Sequence, residues 1–194
     1  MESLARKVIN WDTYYKIEKF IENIEDENTR IKYEKLLEEI WDKATEIDTF
    51  IINKEYENHI KELSERGIEL IAGNKRSISS MWSKMFASSV SKEKKKEIFY
   101  NSFRWHIFSF NEVDALKGNE AREAFDADRK ENIYIFYQFS DEAYLIKNGS
   151  LLKAEDFDID SSLEKADLYI FSPTEKWTYV HTHEEVCGPY FYKV

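Results

Sequence analysis

Two histidines, two glutamates and the only cysteine fall within seven positions near the C-terminal end, in WTYVHTHEEVCGPYFYKV. They are His181, His183, Glu184, Glu185 and Cys187. On a β-strand, His181 and His183 would share one face, about 6.5–7 Å apart, close enough for two imidazoles to converge on one ion. Glu185 has the same parity, yet a catalytic zinc ordinarily takes three protein ligands. Trp177 and Tyr179 also fall on that face and mark it as packing surface. His181, His183 and Glu185 are thus a marginal metal set, and no metal or other cofactor is expected.

Cys187 lies four residues beyond His183, with Glu184 placed to orient the imidazole. A cysteine nucleophile needs its thiolate stabilised by a cation, a histidine or a helix N-terminus. Gly188-Pro189 follows the cysteine directly, and the neighbouring Glu184 and Glu185 would raise a thiol pKa. A second pairing, His106 and Ser109 in WHIFS, lacks the Gly-x-Ser-x-Gly elbow of a serine hydrolase. The catalytic candidates are therefore His183, Glu184, Cys187 and His106. With five glycines in 194 residues, no phosphate-binding glycine loop is formed.

These residues must be positioned by the elements around them. NIYIFYQF (132–139) is apolar at both parities, which predicts a central strand buried on both faces. EAYLIKNGS follows, with Asn148-Gly149 a hairpin signal. DLYIFS and WTYVHTH flank SPTEK, a proline-initiated turn. GIELIAG (67–73) predicts a strand. SFRWHIFSF (102–110) alternates and is aromatic, which also favours strand. SISSMWSKMF and SKEKKKEIFY predict helices, the second capped by Ser91, and Asn119 is placed to cap a short helix, NEAREAF. The KEKKK run reads as the solvated side of an amphipathic helix.

The N-terminal part is helical in pattern. Apolar residues recur at three- and four-residue spacings from Trp11 to Ile24 and again from Ile31 to Ile51. A short polar link, EDEN, joins the two runs, so an antiparallel hairpin is expected, with Trp11, Tyr14, Phe20 and Trp41 on one face. A third helix through Tyr56, Ile60 and Leu63 ends at Gly67. The fold class expected is α+β: residues 1–58 as a helical hairpin extension, residues 59–194 as a domain built on an antiparallel β-sheet meander with packed helices.

Three stretches resemble an uncharacterised bacterial family, the domain-of-unknown-function family numbered 4275. They are WHIFSF with ALKGNEAREAF, IYIFYQFSDEAYLI, and DLYIFSPTEKWTYVHTHEEVCGPYF. The resemblance covers roughly residues 62–194. It implies a domain boundary and a bacterial source and carries no activity. The positions it would share are Trp105, His106, Phe108, Ser109, Trp177, Thr182, His183, Glu184, Cys187, Gly188 and Pro189; His181 is not among them.

The net charge is −10. Residues 1–58 carry 9 Lys/Arg against 15 Asp/Glu, residues 75–104 carry 8 against 2, and residues 105–194 carry 9 against 18. An acidic whole argues against nucleic-acid binding. There is no run of about 18 apolar residues to span a membrane, and the start lacks an apolar run of signal-peptide length. A single cysteine excludes an internal disulfide and fits a cytoplasmic protein. Two functions are expected. The first is a non-catalytic protein-interaction protein of the immunity or antitoxin kind, with a partner or a second copy on its aromatic helical face. The second is a small hydrolase-like enzyme using the C-terminal His/Glu/Cys cluster.

Overall fold

The computed structural model describes residues 10–158 and 167–194, with the Glu185 side chain left out. The chain divides into two compact units, residues 1–56 and 57–194.

The first unit is helical. Helix α1 (Trp11–Glu22) starts at Asn10, whose side chain accepts from Thr13 N. Helix α2 (Glu27–Glu65) starts after Asp26, which accepts from Thr29 N at 2.7 Å. A side-chain oxygen there satisfies a donor that the first turn cannot. Trp41 packs on Trp11 and Tyr14, with ring centroids 4.4 and 4.7 Å apart. Phe20 does not join them as expected; it stands in solvent, 74% exposed. The expected third helix is the last part of α2, because no Gly or Pro interrupts residues 27–65. Gly67, at φ 89°, then ends it, with Ile68 N bonded back to Leu63 O.

The second unit is a seven-stranded antiparallel sheet with helices on both faces, an α+β fold. Its strands are β1 (Glu69–Ala72), β2 (Leu116–Lys117), β3 (Ile133–Tyr137), β4 (Ala143–Lys147), β5 (Leu168–Ser172), β6 (Trp177–His181) and β7 (Tyr190–Lys193), in the order β1-β4-β3-β5-β6-β7-β2. Strands β5, β6 and β7 form a meander, with Leu168 opposite His181 and Ser172 opposite Trp177. The helices are α3 (Lys75–Phe86), α4 (Lys92–Glu97), α5 (His106–Ser109) and α6 (Asn119–Ala127).

Side-chain alternation divides the core in two. Phe136, Tyr169, Phe171 and Val180 join Trp82 and Phe86 of α3 and Trp105, Ile107 and Phe108 around α5. Ile135, Ile170, Trp177 and Tyr179 join Phe125 of α6, Phe157 and Leu63 on the other face. Strand β3 is buried on both faces as its composition predicts.

Several local expectations fail for physical reasons. The SFRWHIFSF stretch is a series of turns ending in α5, because among the described residues no strand lies beside it to complete a ladder. Its bonds close on themselves, with Phe108 N and Ser109 N both donating to Trp105 O. Asn148-Gly149 makes no hairpin. Asn148 is left-handed at φ 56° and leads into a 3₁₀ turn, Gly149–Leu151. Gly149 is required there, since a Cβ would lie 2.8 Å from Lys130 O and 2.5 Å from Ile133 Cδ1. The N-cap position of α6 is taken by Gly118, and Asn119 is the first helical residue. Strands β2 and β7 escaped the sequence reading altogether.

Ser91 does cap α4, accepting from Lys94 N at 3.1 Å. Lys94 of the basic run then pairs with Glu97 and Glu112.

Candidate functional site

The site begins where β5 enters the sheet. Asp167 directly precedes the all-buried run LYIFS and is itself fully buried. A buried carboxylate must be satisfied by donors or it costs several kcal/mol. Asp167 Oδ1 accepts from His183 N at 2.7 Å and lies 2.8 Å from His183 Nδ1. Its Oδ2 accepts from Trp105 Nε1 at 3.1 Å. Tyr169, stacked on Phe136 at 4.7 Å, accepts from Trp105 N at 3.1 Å.

Facing a carboxylate, which only accepts, fixes the His183 proton on Nδ1 and leaves Nε2 as the free nitrogen. Glu184 Oε1 lies 3.7 Å from Nε2. The His183 side chain is 11% exposed, so this nitrogen lies at the edge of the buried region. His106 Nδ1 meets the carbonyl oxygen of Ile98 at 2.5 Å, an acceptor that likewise holds the proton on Nδ1. Both imidazoles pack on Phe103, at 5.1 and 5.3 Å, and on Trp105, at 4.4 and 5.9 Å. The result is two histidines of one tautomer around an aromatic wedge.

Beyond His183 the chain makes a 3₁₀ turn, Glu185–Cys187. Thr182 Oγ1 donates to Glu184 O at 2.9 Å. Gly188 passes so close that a Cβ would lie 2.6 Å from Thr182 Oγ1. The Cys187 thiol is pushed up by its hydrogen bond to the Glu184 carboxylate, by burial and by that carboxylate's charge. Glu184 thus stands between His183 and Cys187. It supports a protonated thiol rather than a thiolate, so Cys187 is poorly suited to nucleophilic attack.

Of the four catalytic candidates, His183 and His106 both pack on Phe103 and Trp105, and Glu184 lies beside His183 and Cys187. The expected pairing of His181 and His183 on one face does not hold. Alternation ends with β6 at His181, and His183 packs beside Trp105 and Phe103, in the cluster of Val180, instead of with Trp177 and Tyr179. Among the described residues no group of three or more His, Cys, Asp and Glu side chains is arranged to hold a metal ion. Glu185, the third of the metal set, has its side chain outside them. Asp167, Phe103 and Tyr169 were missed from sequence. The available signal was an acid set directly before four apolar residues, Leu168 to Phe171, which demands buried donors.

An antiparallel sheet with helices on both faces, after N-terminal helices, defines the class of this protein as α+β. The chain belongs to the family described as domain of unknown function DUF4275, whose profile matches residues 58–191. No curated protein and no solved structure matches it. Among the described residues, no helix is long and apolar enough to cross a membrane.

Proposed function

We propose that this is a non-catalytic protein-interaction protein, of the immunity or antitoxin kind, which engages a basic protein partner. The observation that carries the reading is the first unit: nine large apolar side chains there are exposed, from Tyr15 to Phe50. Exposed apolar surface on this scale costs solubility unless a partner uses it. The surrounding charge, 9 Lys/Arg against 15 Asp/Glu over residues 1–58, suits a basic partner and speeds encounter with it. Affinity capture on the full chain, in low and high salt, tests the proposal. A specific partner that salt releases, and that rebinds as a purified protein, is the expected result. A chain that captures no specific partner, or one held equally in high salt, counts against it.

A second reading, a small hydrolase-like enzyme, is favoured by one observation, the His183 imidazole held by buried Asp167 through Nδ1 with the Glu184 carboxylate 3.7 Å from Nε2. Such a nitrogen can take a proton from water or from a substrate hydroxyl. A panel of chromogenic esters and phosphoesters would reveal it. Turnover lost in His183→Gln supports the enzyme, and turnover unchanged by that substitution refutes it.

A further inference from the structure

We infer that Lys75 and Arg104 form a binding site for a phosphate group, free or carried by a small molecule, at the end of the sheet where β3 turns into β4. The inference goes beyond both readings above and rests on neither. Lys75 begins α3 and Arg104 precedes α5, so two separate elements bring the cations to one residue, Gln138. Lys75 Nζ donates to Gln138 O at 3.1 Å and to Ser140 O. Arg104 Nη1 donates to Gln138 Oε1 at 2.8 Å. Gln138 and Ser140 are buried, and both cations are partly buried. The buried Phe136 ring lies 5.9 Å from Arg104 Cζ and shields the guanidinium from water on that side. Arg104 Nε is buried and has no hydrogen-bond partner.

The charges around this pair do not neutralise it. Among the described residues, no carboxylate forms an ion pair with Lys75 or Arg104. Asp167, whose carbonyl accepts from Gln138 N at 2.8 Å, gives its carboxylate to His183 and Trp105. Glu142 accepts from the Tyr144 hydroxyl. Asp141 is exposed and acts on Lys75 only through space. Burial pushes the Lys75 ammonium down, Asp141 offsets part of this, and the charge of Arg104 adds to it. The two cations therefore repel each other across Gln138. Partly buried like charges without a counterion destabilise a fold, and an anion held by both removes that cost. Donors remain for it: two carbonyls leave the Lys75 ammonium a third, and Gln138 takes only one from the guanidinium. A phosphate monoester carries about −1.5 to −2 charges at neutral pH and presents three oxygens, which matches two cations better than a carboxylate does. Phe139 follows Gln138 in the chain, stands 50% exposed and packs on Phe103 at 5.7 Å. It offers an apolar surface to a group that carries the phosphate.

Calorimetric titration of the full chain with inorganic phosphate, phenyl phosphate and benzoate, at constant ionic strength, tests the site. Inorganic phosphate is expected to bind saturably at one site, about tenfold or more tighter than benzoate. Lys75→Met and Arg104→Gln should each weaken it by about tenfold or more. Lys84→Gln, which removes an exposed charge near the other end of α3, leaves it unchanged. Should Arg104→Gln fail to fold, Arg104→Lys keeps the charge, loses the fork and is expected to weaken phosphate several-fold. Phenyl phosphate binding more tightly than inorganic phosphate, with the gain lost in Phe139→Ala, assigns the site to an aromatic phosphoester. Equal binding of the two assigns it to free phosphate, and either result upholds the site. The inference is overturned if phosphate does not bind or if benzoate binds as tightly. It is equally overturned if the folded charge variants leave phosphate binding intact, or if Lys84→Gln weakens it as much as they do.

Discussion

Asp167 shows how one buried acid organises a site. Its carboxylate takes two donors from His183 and one from Trp105. Asp167→Asn turns one acceptor into a donor amid these three, so it leaves a buried group unsatisfied. The expected loss is about 1–3 kcal/mol in urea unfolding, and an unchanged midpoint would show that the carboxylate is not needed. Cys187 offers a second check at the same scale. Glu184 holds the thiol above its ordinary pKa, so alkylation by iodoacetamide at neutral pH should be slow. Removing the carboxylate in Glu184→Gln lowers the thiol pKa and speeds the reaction; an equal or slower rate contradicts the hydrogen bond. His183, Glu184, Cys187 and His106 were legible as reactive residues because their types alone suggest chemistry. Asp167 was not, because its role depends on Trp105 and His183, 62 and 16 residues away.

At the scale of elements, β5, β6 and β7 carry tyrosines whose hydroxyls are costly to ionise. Burial pushes Tyr190 up to about 12 and Tyr179 further, and it holds Tyr169 well above its ordinary value. A group whose pKa is raised on folding stabilises the fold below its unfolded value and loses that contribution as pH climbs to its folded value. For Tyr190 this window runs from the ordinary phenol value of 10.0 to about 12. Melting temperature should therefore fall across it, with phenolate absorbance appearing late and together with unfolding. Early, non-cooperative ionisation of all tyrosines would contradict their burial. The turn after β6 depends in turn on Gly188. Gly188→Ala forces a Cβ to 2.6 Å from Thr182 Oγ1, and is expected to cost about 1–3 kcal/mol by overpacking, measured by thermal melting against the unsubstituted chain.

Across the whole molecule, the second unit contains its own core on both sheet faces, from Leu63 to Phe191 on one and from Ile78 to Tyr190 on the other. A fragment of residues 57–194 should accordingly fold alone, with a cooperative melt and the near-ultraviolet signal of Trp82, Trp105 and Trp177. A fragment without a cooperative transition would show that the sheet needs the helical unit. The family profile, which begins at residue 58, follows the same division.

Composition and periodicity alone determined the α+β class, the helical beginning, and the strands at 69–72, 133–137, 143–147, 168–172 and 177–181. Those features follow from the spacing of apolar residues, which is local. Tertiary structure decided the rest. It turned SFRWHIFSF into turns and a short helix because, among the described residues, no strand was there to pair with it. It completed the sheet with β2 and β7, two short strands that exist through each other and β6. It also moved His183 off the face that alternation assigned, because a strand's period ends where the strand does. Once past His181, the histidine could turn to the buried Asp167, a partner that proximity in space supplies and sequence spacing does not reveal.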